Sequence, residues 1–101
     1  MYIYNVTVKV DHPIAREWMQ WLKTEHIPEV IGTGCFCNAT ILELVENVDK
    51  EGASFAVQYK TANLEDYKHY ITEFAPSLQQ KGLDKWGERF IAFRTLMKIV
   101  D

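Results

Sequence analysis

The chain has 101 residues, 48% of them hydrophobic and 25% charged, which suits one domain, residues 1–101, burying about 60% of its surface around a single core. Its formal net charge of −3 supplies no positive field for a nucleic-acid backbone. Five Gly, three Pro and two Cys exclude a collagen-like chain and a disulfide framework. Nothing resembles a secretory leader or a membrane span, so a cytoplasmic protein is expected.

From Tyr2 to Val10 the even positions Tyr2, Tyr4, Val6, Val8 and Val10 are apolar, while Asn5, Thr7 and Lys9 between them are polar. That period of two predicts a strand with its even face on a core. Asp11, His12 and Pro13 supply a cap and a first helical turn. Ile14, Trp18, Trp21 and Leu22 then form one helical stripe, and Pro28 is expected to stop or bend the helix. Gly32 and Gly34 release the chain into a turn.

Phe36 to Glu46 is expected to be a second strand. Cys37, Ala39, Ile41 and Val45 share one face, Phe36, Asn38, Thr40, Leu42 and Leu44 the other. The polar run from Asn47 to Gly52 is a hairpin loop by composition, and Phe55, Val57 and Tyr59 alternate with polar or small residues in a third strand. Asn63 caps a helix whose stripe is Leu64, Tyr67, Ile71, Phe74 and Leu78, with a kink at Pro76 and Gly82 as its terminator. Phe90 to Val100 closes the chain as a fourth strand, with Ile91, Phe93, Met97 and Ile99 assigned to the core face.

The order βαββαβ predicts an α+β, ferredoxin-like domain: a four-stranded antiparallel sheet with two helices on one face. The opposite face then carries Asn5, Phe36, Asn38, Leu42, Leu44, Gln58 and Arg94, together with Phe90 and Leu96. It is too apolar to leave wet, and pairing two such faces in a homodimer buries it at the scale of about 800 Å² per partner.

The element order and the half-polar sheet face resemble the dimeric α/β-barrel superfamily. The runs WMQWLKTEHIPEVIGTGCF (Trp18 to Phe36), FAVQY (Phe55 to Tyr59), EFAPSL (Glu73 to Leu78) and FIAFRT (Phe90 to Thr95) are similar to a small bacterial family known only as a domain of unknown function. The resemblance implies the fold and dimerisation, and implies no activity.

Among residues that carry chemistry, His26 continues the stripe of Trp18 and Leu22 toward a helix C-terminus, where the protonated ring is favoured. Enzymes of the wider superfamily that this chain resembles place a His near such a cleft; the alternative is a His that bonds a carbonyl of the last turn. His26 and Glu29 lack a third metal ligand, and the one Cys-x-Cys, Cys35-Phe36-Cys37, lacks the second motif of a structural zinc site. No metal and no cofactor is therefore expected, and Cys37 is assigned to the core as a small apolar residue. A buried Arg94 needs an acceptor, from Glu43 or from a ligand carboxylate.

Two functions follow. The first is a dimeric protein binding a small organic ligand between the first helix and the sheet, reached by His26, Trp18, Trp21, Tyr4 and Tyr59. The second is a structural or interaction module whose dimer surface is its functional surface. A third, which rests on resemblance to cofactor-independent monooxygenases and isomerases of the superfamily, draws on Asn5, Trp86 and His69, although alternation points Asn5 away from the helices.

Overall fold

The computed structural model describes residues 1–46 and 51–101. Strand β1, Tyr2–Asp11, leads into helix α1, His12–Trp21, a π-helical turn, Leu22–His26, and helix α2, Ile27–Gly32. Strands β2, Asn38–Glu43, and β3, Gly52–Thr61, follow, then helices α3, Leu64–Glu73, and α4, Ala75–Trp86, and strand β4, Phe90–Lys98. The four strands form one antiparallel sheet in the order β2-β3-β1-β4. Residues 47–50 of the expected hairpin loop lie outside the described residues.

The core lies between the helices and one face of the sheet. Tyr4, Val8 and Val10 from β1 and Phe55, Val57 and Tyr59 from β3 are buried there, under Ile14, Trp18, Leu22 and Val30 from the first helical segment and Tyr70, Ala75, Leu78 and Trp86 from the second. The steps of four from Ile14 through Trp18 to Leu22 are the ordinary spacing of a buried helical stripe.

The first helix neither stops nor breaks at Pro28. The chain keeps right-handed helical dihedrals through His26 and Ile27. The Ile27 amide donates to the Leu22 carbonyl, five residues back instead of four. This wider turn lies immediately before the proline, whose missing donor and bulky ring then fall in the first turn of α2. The second helix breaks at Phe74, with φ −119°, so Pro76 likewise sits in a first turn. Gly82 does not terminate α4. It is buried inside that helix, where an added Cβ would meet Trp21 at 3.6 Å and Phe90 at 3.9 Å. The helix ends instead at Gly87, whose φ of 60° with ψ of −131° is backbone that glycine adopts and other residues rarely do.

Two strand assignments differ from the sequence reading. β2 begins at Asn38 rather than Phe36. The turn through Gly34, at φ 79°, sends Cys35 and Phe36 inward and leaves Cys37 exposed; the Cys37 amide donates to the Lys60 carbonyl at 2.9 Å. Cys37 is therefore not a core residue, and Phe36 is not on the open sheet face but packs against Tyr4 and Tyr70, with ring centroids 5.9 and 5.0 Å apart.

In β4 the two faces are exchanged. Val10 pairs with Phe90, Val8 with Ala92, Val6 with Arg94 and Tyr4 with Leu96, so the even residues of β4 face the helices. Ile91, Phe93, Met97 and Ile99 point away from them and are exposed. The short connection after Gly87 sets this phase: the Asp11 amide donates to the Arg89 carbonyl at 3.0 Å, and a slip of one residue would turn every side chain over.

Candidate functional site

Both sheet faces were candidate surfaces. On the open face the registers align Thr40, Gln58, Asn5 and Thr95 across the middle of the sheet, with Leu42, Ala56, Thr7 and Phe93 in the adjacent row. The polar row satisfies itself in part. Gln58 Nε2 donates to Asn5 Oδ1 at 3.2 Å, and Asn5 Nδ2 donates to Thr7 Oγ1 at 3.0 Å. Around this row stand exposed apolar side chains, Phe93 at 63% and Ile91 at 54%, with Leu42, Leu44 and Met97. Asn5, Asn38, Leu42, Leu44 and Gln58 thus lie on the expected face. Phe36 and Arg94 do not.

On the helix side a cavity of about 60 Å³ lies between the first helix, α4 and the sheet. Its lining includes Tyr4, Trp18, Trp21, His26 and Tyr59, together with Tyr70, Gln79, Gly82, Phe90 and Arg94. A cavity needs about 10–15 Å³ on this measure to hold one water, so this one has room for a few heavy atoms.

Each wall has a local cause. The four-residue step from Trp18 to Leu22 buries both of them, while the π-helical turn carries His26 onto Trp21, rings stacked at 4.9 Å and 24°. Trp21 meets Trp86 edge-on at 6.0 Å, and the missing side chain of Gly82 leaves the space that Trp21 and Phe90 border. Tyr4 is the hub of an aromatic cluster, 6.0 Å from Tyr59 and 5.8 Å from Tyr70.

His26 is not at a helix C-terminus, because the helix continues to Gly32. Burial lowers its pKa, the opposing influence of Glu29 is smaller, and Arg94 pushes in the same direction as burial; the ring is therefore neutral at pH 7. Burial raises the pKa of Tyr4, Tyr59 and Tyr70. Hydrogen bonds from Arg94 and Gln79 to the Tyr4 side chain act against that rise, as donors to a phenol oxygen do.

Arg94 was expected on the dimer face with Glu43 as a partner. The strand order instead puts β2 and β4 at opposite edges of the sheet, and Arg94 is exposed rather than buried, on the helix-side face opposite Val6 and close enough to act on Tyr4. Gln79 escaped the sequence reading because a lone glutamine beside the buried Leu78 carries no pattern of its own. Asn5 is separated from Trp86 and His69 by the sheet itself, so those three do not meet. Among the described residues no three His, Cys, Asp or Glu are placed to hold a metal ion, and no helix is long and apolar enough to cross a membrane.

A family model described as a domain of unknown function, DUF4286, matches residues 1–100. The chain belongs to the DUF4286 family. No curated protein matches its sequence. Among solved structures, a dimeric ferredoxin-like protein from an uncultured marine organism is similar over 100% of this chain and 96% of its own, at TM-score 0.68 and 13% identity. A protein of the ethyl tert-butyl ether d (ethd) family from Bacillus halodurans is similar over 99% of this DUF4286 chain and 100% of its own, at TM-score 0.68 and 6% identity. A second dimeric ferredoxin-like protein from an uncultured marine organism covers 99% of this chain and 96% of its own, at TM-score 0.66 and 7% identity. At such identities these likenesses show the ferredoxin-like fold alone.

Proposed function

We propose that this DUF4286 chain is a homodimer that binds a small organic ligand in the cavity under its helices. The observation that carries the reading is the convergence of His26, Gln79, Arg94 and the Tyr4 hydroxyl on one aromatic-walled cavity. Apolar walls with a few directed polar groups are the usual composition of a small-molecule site. The dimer rests on the open sheet face, where Phe93, Ile91, Leu42, Leu44 and Met97 are exposed in the single chain. An apolar patch of this kind is commonly a contact surface, and two structurally similar proteins are described as dimeric. A cytoplasmic location is part of the same proposal.

A second reading keeps the dimer and discards the ligand: the open face is then the whole functional surface. Native mass spectrometry of freshly purified protein separates the two. The ligand reading expects a dimer carrying an adduct that disappears on denaturation. A dimer without an adduct, whose mass and melting temperature stay unchanged by small metabolites, supports the interaction module, and a monomer contradicts both.

A further inference from the structure

We infer that the cavity takes a small monocarboxylate with an apolar body, its carboxylate seated on the Arg94 guanidinium and its body against Trp21 and Phe90. This deepens the ligand-binding reading and rests on it.

The charge of the cavity selects an anion. The residues lining the cavity include no Asp and no Glu, and one Arg. Burial keeps His26 neutral by lowering its pKa, and keeps Tyr59 and Tyr70 neutral by raising theirs. The nearest carboxylate to act on His26, Glu29, is already paired with Lys81 at 3.0 Å. The lining thus carries one net positive charge, on the exposed Arg94 beside apolar walls, which favours an anion over a cation.

Arg94 also has donors to offer that anion. A guanidinium has five N–H donors and no acceptor. Arg94 spends donor capacity on the Tyr4 oxygen, and none of the ion pairs among the described residues includes it. Gln79 also bonds the Tyr4 side chain. Arg94, Gln79 and Tyr4 border the cavity together, and Arg94 supplies its charged donors.

Shape and size narrow the class. A planar fork of N–H groups matches the two oxygens of a carboxylate. A phosphate dianion or a dicarboxylate would bring a second charge to walls made of Trp18, Trp21, Leu22 and Phe90, where no second cation stands. The volume of about 60 Å³ limits the buried part of the ligand to a short branched chain or part of a ring.

The test is an NMR titration of the intact protein with acetate, isobutyrate and benzoate, each paired with its neutral amide, followed through the indole N–H signals of Trp18 and Trp21. The expected result is that at least one acid binds 10-fold or more tightly than its amide, a preference that Arg94→Gln abolishes, Arg94→Lys weakens and Arg16→Gln on the exposed face of α1 leaves intact. Amides that bind as well as their acids would overturn the carboxylate while leaving the ligand site standing, as would a preference that survives Arg94→Gln. No response to any of the six compounds overturns the carboxylate, and the mass spectrum then decides the ligand reading independently. Because the acid–amide comparison is made on the unmodified protein, it does not depend on any variant folding.

Discussion

The two faces of this sheet share the same four strands and have opposite characters. The helix-side face is closed by aromatic packing, and its polar groups are few, directed and gathered at one cavity. The open face has its polar groups in a row across the centre, Gln58 bonded to Asn5, with exposed apolar side chains beside them. Alternation alone puts both characters on each strand, because neighbours one residue apart face opposite ways. β4 shows the consequence: the bulkier apolar set, Ile91, Phe93 and Met97, faces away from the core, and the set on the helix side holds an exposed Arg94.

Substitutions on the two faces should therefore separate cleanly. The largest stability effect is expected for Trp18→Ala, which removes a buried ring stacked 5.7 Å from Phe55; urea denaturation should show a loss of about 3–5 kcal/mol. Phe93→Asp should leave the fold of the single chain within about 0.5 kcal/mol, as surface changes do. Sedimentation velocity should nevertheless show a monomer, since a two-fold contact places the new charge in the interface twice. Unfolding by Phe93→Asp, or tolerance of Trp18→Ala, would mean that the two faces have been exchanged.

A smaller effect sharpens the account of the cavity wall. Gly82→Ala should raise stability by about 0.5–1 kcal/mol in thermal unfolding, because glycine inside a helix costs that much relative to alanine. The new methyl would meet Trp21 at an ordinary contact distance of 3.6 Å. A loss of stability would show that the wall is closer packed than described.

The pH dependence tests the helix side only. Tyr59 and Tyr70 have raised pKa values in the folded chain, so above about pH 10 the unfolded state loses their protons first and stability should fall. His26 has a lowered pKa, so below about pH 6.5 the unfolded state takes up its proton first and stability should also fall. Tyr59→Phe should flatten the alkaline limb and His26→Asn the acidic one, both measurable as urea midpoints across pH. A wild-type profile flat at both ends would contradict the burial of these groups.

Much of the fold was legible because its signals are strong and local. The alternation from Tyr2 to Val10 gives β1, the stripe of Ile14, Trp18 and Leu22 gives α1, and Asn63 does cap α3, its Oδ1 accepting from the Glu65 amide at 2.9 Å. What escaped the sequence depends on partners far along the chain. The phase of β4 is set by pairing with β1, the inward turn of Phe36 by the backbone at Gly34, and continuation past Pro28 by a widened helical turn that composition does not announce. His26, Trp18, Trp21, Tyr4 and Tyr59 do border one cavity, because four of them follow from the buried stripes. Arg94 was misplaced with the phase of its strand, and Gln79, a polar residue beside the correctly placed Leu78, had no pattern to mark it.

The proposed division of the sheet into a ligand face and a dimer face can be tested in one spectrum. The chain has five Phe, of which Phe93 alone faces away from the helices. Fluorine NMR of protein labelled with 4-fluorophenylalanine, recorded in H2O and in D2O, reports the solvent contact of each ring, and Phe93→Tyr assigns the decisive signal. The account predicts that Phe93, 63% exposed in the single chain, shows a solvent isotope shift as small as those of the buried Phe36 and Phe55, because a second copy covers it. A full solvent shift at Phe93 would contradict the dimer and leave the open face without its proposed occupant.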